Sequence, residues 1–358
     1  MSADSAALRN REHIMIKRAT IKDVAQKAGV SIATVSFVLN KHPNEVISPK
    51  VRKKVRAAAR ALEYHPSAAA AGLARSRTRN ISVILYRDEV TISNQFYSFV
   101  VQGAITEAME RDYHLLFAYV PNAYRGASDL PKVVQERNTE GAVFIQRISP
   151  KLVRDIQKRG LPVVAVDHFP AMKKVDSLQI DNRAGGALAA EHLIGLGHTQ
   201  LGFVQAAADR PSIAERGAGF KETIRARGLS FSERSNVLQC DDLKFEASYR
   251  RVFAAFKRKR RTTALFCAND EMAAGALRAA HELGLRVPDD LSVVGFDNIT
   301  MSNYTDPALT TVSVEKERLG RRAIARLIDL VEGNGGGIRR ETVPVKLVLR
   351  GSSARPRT

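Results

Sequence analysis

Cysteine is almost missing from this chain: Cys240 and Cys267 are the only two in 358 residues. Two cysteines exclude a disulfide framework and are too few for a structural zinc site. Long apolar runs are missing as well, since none approaches the ~18 residues of a membrane span. The first twenty residues lack the apolar core of a secretory signal. Also absent are a P-loop, a complete three-glycine dinucleotide fingerprint, a nucleophile elbow and histidines at metal-binding spacing. The paired glycines Gly195/Gly197 and Gly217/Gly219 lack a third member. These absences argue against an enzyme and against a secreted transport protein, and lead us to expect a cytoplasmic chain with no cofactor and no metal. Acidic residues are scarce too, 37 Asp and Glu against 56 Lys and Arg, giving a net charge of +19.

That charge is uneven. Residues 1–80 hold 16 Lys and Arg against 5 Asp and Glu, a net of +11; the remaining 278 residues carry only +8. A compact basic head on a nearly balanced body points to a polyanion-binding module attached to something else.

The order of residues within the head sharpens this. Thr20–Ala28 has apolar positions Ile21, Val24, Ala25 and Ala28 at helical spacing, and Gly29 follows as a left-handed stop. Ser31 is an N-cap for a second helix, Ile32–Leu39. Ser48 and Pro49 announce a third, with an apolar stripe at Val51, Val55, Ala58 and Leu62 and with Lys50, Arg52, Lys53, Lys54 and Arg56 outside it. Three short helices with a glycine turn between the first two describe a helix-turn-helix.

From Ile81 the chain alternates β-branched runs with helical patterns. Strands are expected at 81–86, 114–119, 141–145 and 162–166, then at 200–205, 237–240, 264–268 and 292–296. The intervening helices are expected at 95–111, 128–137 and 150–159, then at 183–196, 213–227, 245–257 and 271–283. Two such series predict two doubly wound parallel-sheet lobes with a cleft at the carboxyl ends of the strands. A final helix at 316–330 and a strand near 343–349 are expected to cross back between lobes. Asp181 and Asp270 precede helices and read as N-caps.

TIKDVAQKAGVSIATVSFVLN, ISPKVRKKVRAAARALEYHPSAAAAGLARSRT, SLQIDNRAGGALAAEHLIGLGHTQLGFV and LRVPDDLSVVGFDN together resemble the lactose-repressor (LacI/GalR) family of transcription regulators over nearly the whole chain. The resemblance implies a small all-α head, residues 20–66, preceded by a basic arm (1–19). A hinge helix and linker (67–80) would follow, then a periplasmic-binding-protein-like effector and dimerisation body (81–358). It makes Ile32–Asn40 the recognition helix, with Ile32, Ala33 and Phe37 at the base-reading positions. Thr20, Ser31, Thr34, Ser36 and Tyr64 match phosphate-contacting positions, and Leu73 with Ala74 matches a minor-groove wedge. In the body, Phe96, Tyr97, Asp167, Arg210, Ser212, Arg216, Leu243, Asn269 and Asp297 match effector-contacting positions. Leu243 stands where an aromatic often stacks on the ligand. The family's base-reading positions usually include polar or basic side chains, whereas all three here are apolar and suit a thymine methyl.

The implied function is a dimeric repressor on a near-palindromic double-stranded operator, nucleoid-associated when bound. Its effector would be a small metabolite, most simply a sugar or related compound, with a protein corepressor as the alternative. The chain ends GSSARPRT without an apolar heptad helix, so a dimer is expected rather than a tetramer. Met15 begins a more usual family start than Met1.

Overall fold

The computed structural model describes residues 19–39, 47–66, 77–86, 94–145, 149–167, 175–206, 211–258 and 262–357. It divides into two compact units, Met1–Thr78 and Arg79–Thr358. Asn40, Leu73, Ala74, His168 and Arg210, with the N-terminal arm and most of the hinge, lie outside the described residues.

The head consists of α1 (Ile21–Ala28), α2 (Ile32–Leu39) and α3 (Pro49–Ala61). Thr20 starts α1 through a capping box: its hydroxyl accepts from the Asp23 amide, and the Asp23 carboxylate accepts from the Thr20 amide at 2.7 Å. Gly29 closes the helix at φ +66°, and the following Val30 amide returns to the Ala25 carbonyl. A side chain at position 29 would meet nothing within 4 Å, so the glycine is required by its backbone angle and not by space. Ser31 accepts from the Thr34 amide at 3.1 Å, as an N-cap should. Val24, Val35, Val38 and Val55 fill the centre of a small core, and Ala25, Ala28, Ala58 and Ala59 let the helices approach.

The body contains two six-stranded sheets. The first lobe is built from β1 (Asn80–Tyr86), α4 (Gln95–Glu110), β2 (His114–Val120), α5 (Lys132–Gln135), β3 (Ala142–Ile145), α6 (Pro150–Gln157), β4 (Val163–Val166) and β5 (Asp176–Ile180). The second comprises α7 (Asn182–Gly195), β6 (Leu201–Ala206), α8 (Pro211–Ala226), α9 (Glu233–Asn236), β7 (Val237–Cys240) and α10 (Phe245–Arg258). It continues with β8 (Ala264–Cys267), α11 (Asp270–Glu282), β9 (Ser292–Asp297) and β10 (Thr310–Val314). The chain then returns to the first lobe as α12 (Lys316–Val331) and β11 (Arg340–Val343), and ends in the second as β12 (Val345–Val348).

Strand orders are β11-β5-β4-β3-β1-β2 and β12-β10-β9-β8-β6-β7, so the two sheets repeat one plan. Every pairing is parallel except β10 with β12. Both faces are covered by helices, and the central strands Ala142–Ile145, Val163–Val166 and Ala264–Cys267 are therefore buried throughout. No described helix is long and apolar enough to cross a membrane.

The expected crossing of the C-terminal segment is observed, with more detail than the pattern carried. The chain passes between lobes three times: after β5, after β10 and between β11 and β12. The lobes' helix layers are knitted by glycines. A side chain on Gly103 of α4 would strike the Glu317 carbonyl of α12, and one on Gly320 of α12 would strike the Val100 carbonyl of α4. In the second lobe, Gly186 of α7 and Gly219 of α8 meet the Arg216 and Arg183 carbonyls in the same reciprocal way.

Three readings need correction. The helix expected over 128–137 is a single turn at Ala127–Asp129 followed by the four-residue α5. Strands β5, β10 and β11 were not anticipated. Asp270 is not an N-cap; Asn269 is, accepting from the Met272 amide at 2.8 Å. The Asp270 carboxylate is instead buried between β9 and β10, accepting from the Ile299 amide at 2.8 Å and from the Thr311 hydroxyl. Asp181 does cap its helix, accepting from the Ala184 amide at 3.0 Å.

Candidate functional site

In the head, α2 projects Ile32, Ala33 and Phe37 away from the packed core. Ile32 is 44 % exposed, Ala33 is exposed and Phe37 is half-buried, and none of the three belongs to the head's apolar cluster. Ser31 and Thr34 share a hydroxyl–hydroxyl hydrogen bond of 2.9 Å at the start of the same helix. The Thr20 hydroxyl donates to Asp23 at 2.7 Å. Tyr64 packs on the core edge just past α3, and Ser36 is half-buried on α2.

In the body, the carboxyl ends of the two sheets bring carboxylates together. Asp167 follows β4 in the left-handed region at φ +55° and accepts a 3.1 Å hydrogen bond from the Tyr97 hydroxyl of α4. Asp297 ends β9 with φ +108° and is 8 % exposed. Non-glycine residues in such conformations cluster at functional sites. Burial raises the Asp297 carboxyl to about 6 against the pull of Arg216 and Lys316, and the charge of Asp167 raises it further. Burial, reinforced by the charge of Asp297, likewise raises Asp270 behind it to about 8.

Arg216 of α8 is the buried counter-charge. Its guanidinium lies over the Phe296 ring at 3.6 Å from the centroid, with Nη1 3.5 Å from Asp297 Oδ1. Its Nε donates to Asn182 at 2.8 Å and its Nη1 to the Ala268 carbonyl at 2.6 Å. These two donors hold α7 and the end of β8 in place. Lys316 Nζ donates to the carbonyls of Asp297 and Asn298 at 2.6 and 2.9 Å, fixing the strained loop from beneath. Burial lowers its ammonium.

A cavity of about 360 Å³ opens between the lobes, and such volumes suit a small metabolite. The first lobe contributes Asn94 and Gln95; the second contributes Phe245, Asn269, Glu271, Asp297, Ile299 and Met301. Met301 and Gln95 also meet directly, the Met301 amide donating to the Gln95 side chain at 3.5 Å.

Of the expected effector positions, Asn269 and Asp297 line this cavity. Tyr97 and Asp167 are joined beside Asp297, whose carboxyl feels the Asp167 charge. Phe96 is buried in the core, edge-on to Tyr97 at 4.8 Å. Leu243 packs against the core edge, and its carbonyl accepts from Asn269 at 3.1 Å. Ser212 sits half-buried in the first turn of α8. Sequence reasoning missed Phe245, which is 37 % exposed and supplies, two residues beyond Leu243, the aromatic surface that Leu243 lacks. An exposed phenylalanine at the start of an amphipathic helix was the available signal.

A three-helix head and a two-lobed body with an interlobe cavity are the architecture of a DNA-binding regulator. Residues 20–67 match the model of the lacI family of bacterial regulatory proteins, and residues 190–353 match a periplasmic binding protein-like domain. The HTH-type transcriptional repressor PurR of Photobacterium profundum is 31% identical over 336 residues, 93% of this chain and 98% of the relative. That of Yersinia enterocolitica is 33% identical over 339 residues, covering 94% and 97%. The lac repressor dimer bound to operator and the anti-inducer ONPF superimposes with a TM-score of 0.82 at 26% identity, over 94% of this chain and all of that one. A complex of the transcriptional regulator CelR with cellobiose gives 0.69 at 26% identity, over 94% and 100%. The chain belongs to the LacI family of bacterial regulatory proteins. It is a DNA-binding transcriptional regulator of the repressor type, not an enzyme.

Proposed function

We infer that this protein represses transcription as a homodimer on a near-palindromic operator and responds to a small polar metabolite held between its lobes. The observation that carries the reading is the interlobe cavity, which is lined by a strained, buried Asp297, by Glu271, by the amides of Asn94, Gln95 and Asn269, and by Phe245. A carboxylate and amides suit hydroxyl or amino groups, and the ring suits an apolar ligand face. A sugar or related compound fits that combination, and the CelR relative is described with cellobiose. Ligand binding acts by its different affinity for two lobe arrangements, a coupling typically of ~1–3 kcal/mol.

Dimerisation is supported by an apolar patch on the first lobe. Ile105 and Met109 on α4 are 40 % and 72 % exposed, and Phe117 and Tyr119 on edge strand β2 are 38 % and 54 % exposed. Such a patch marks an interaction surface. Two-fold symmetry then presents two heads to two half-sites. Leu73 and Ala74 remain the proposed minor-groove wedge, Asn40 a DNA contact and Arg210 an effector contact.

Isothermal calorimetry with a panel of sugars, nucleosides and amino acids tests the reading, paired with selection of DNA from a random pool with and without each binder. One panel member should bind and shift DNA affinity. Binding of no small molecule, together with DNA affinity that changes only on adding a cell protein fraction, would replace this reading with the protein corepressor.

A further inference from the structure

The arginines of the body's last helix are all neutralised. Arg318 pairs with Glu315, Arg321 with Glu107 and Glu110, Arg322 with Glu341, and Arg326 with Asp176. Helix α3 of the head is built differently. Its thirteen residues include Lys50, Arg52, Lys53, Lys54, Arg56 and Arg60 and no carboxylate. Among the described residues, no carboxylate pairs with Lys53, Lys54, Arg56 or Arg60.

The placement is ordered. Arg52, Arg56 and Arg60 recur every four residues, so they form one stripe along the helix, with Lys53 beside it. They border an open groove of about 930 Å³ that also includes Leu39, Tyr64 and, at its far end past the helix, one carboxylate, Glu63. The recognition positions Ile32, Ala33 and Phe37 are not among the described residues of that groove. Like charges at four-residue spacing weaken a helix, and surfaces built only for solubility intersperse both signs. Arg52 also holds the entry to the helix, its Nε donating to the Ile47 carbonyl at 3.1 Å; folding and solubility leave Arg56 and Arg60 unexplained, whereas a polyanion accounts for them.

We propose that the Arg52–Arg56–Arg60 stripe is a phosphate track that holds the DNA backbone flanking the half-site read by α2. The proposal rests on the head's assignment as a DNA-binding module. Eight residues of helix place the three guanidiniums over about 12 Å. That is the axial span of about four phosphates of one strand, at ~3.4 Å each. Guanidinium forks match phosphate oxygens in pairs, with no dependence on base sequence. Helix α3 packs directly on α2, so the stripe stands about one helix diameter, 10–12 Å, from the recognition helix. A duplex docked on α2 is thus the polyanion at highest local concentration beside the stripe, ahead of any acidic protein segment.

The test uses the full chain and two duplexes with the same operator core taken from a random-pool selection. One ends at the half-sites; the other extends by about one helical turn, ~10 base pairs, on each side. Wild-type protein should bind the longer duplex more tightly, with a steeper fall of log K against log salt. Arg56→Gln with Arg60→Gln should lower that slope by at least about 1.8, at ~0.9 per phosphate contact, and lower affinity tenfold or more on the long duplex only. Arg60→Gln alone should give about half the slope change, and thermal unfolding of both variants reports whether the head is intact. Equal wild-type binding to the two duplexes overturns the track. So does a variant that loses equally on both, or on neither. Unchanged binding to the short duplex keeps the half-site reading separate from the fate of this proposal.

Discussion

The guanidinium of Arg216 stacks over Phe296 and stands 3.5 Å from Asp297, the next residue along the strand. One side chain therefore serves the core and the cleft together: its flat face packs on a core ring while its edge balances a carboxyl that burial would otherwise leave neutral.

Removing that balance should be costly. Arg216→Met is expected to lower unfolding free energy by about 3 kcal/mol, because it leaves a buried carboxyl with only Lys316 to balance it and the Ala268 carbonyl without its donor. Urea denaturation at neutral pH measures this. A loss below about 1 kcal/mol would mean that the pair contributes little.

The same carboxyls give stability a definite pH dependence. Asp297 and Asp270 both have raised pKa values, to about 6 and about 8 from 3.8. The folded body therefore holds protons that the unfolded chain releases from about pH 4 upward. The stabilisation they confer is full below that point and falls as pH rises, its loss complete near pH 6 for Asp297 and near pH 8 for Asp270. The Asp297 part amounts to about 3 kcal/mol, at ~1.4 per unit. Denaturation midpoints measured from pH 4 to 8 should fall, and Asp297→Asn should flatten the curve between about pH 4 and 6. A profile as steep in the variant as in the parent would refute this assignment.

Glycines sort by what surrounds them. Gly103→Ala and Gly320→Ala force a methyl into the opposite backbone at the α4–α12 crossing and should each destabilise by about 1–3 kcal/mol or more. Gly195, exposed near the end of α7 with nothing within 4 Å and no positive φ, should behave oppositely. Gly195→Ala is expected to stabilise by about 0.5–1 kcal/mol. Thermal melts of the three variants decide.

Phe245→Ala should weaken effector binding while leaving the melting temperature within a few degrees, since the ring is partly exposed at the cavity wall. Calorimetry with whichever panel member binds the parent provides the number. Parent-like affinity would move the ligand away from this ring.

Phe37→Ala should relax the preference for thymine at one half-site position, with a thermal melt reporting any loss of the packing that the half-buried ring supplies. Pool selection on the variant reads this directly; an unchanged consensus would return specificity to other residues.

How much of this was visible in the residues themselves depends on whether burial follows apolarity. Central strands such as Val163–Val166 are runs of β-branched residues and were placed to within one residue. Strand β5 is buried along its whole length, yet it reads Asp-Ser-Leu-Gln-Ile. Asp176 is tolerated there because Arg326 donates to it at 2.8 Å from 150 residues away, a pairing no local pattern can announce. Edge strand β11 opens with Arg340 and Glu341 and reads as loop for the same reason. The head was the most legible part, since Thr20, Gly29, Ser31 and Ser48 punctuate it with local chemistry. The cavity was half legible: Asp297 and Asn269 sit beside strand ends, whereas Gln95, Phe245 and Met301 are gathered only by the approach of two lobes.

The three passages of chain between lobes have a genetic consequence. The first lobe is written in two places, before residue 181 and again from 316 to 343, with the second lobe's strands in between. Neither lobe can be expressed as an uninterrupted stretch. A stop codon after position 315 would remove α12 from its seat against Gly103 of α4 and strip the edge strand β11 from the sheet that began some 230 residues earlier. Late truncations should therefore disable the earliest part of the body first, and recombination can exchange the head as a cassette far more readily than it can exchange a lobe.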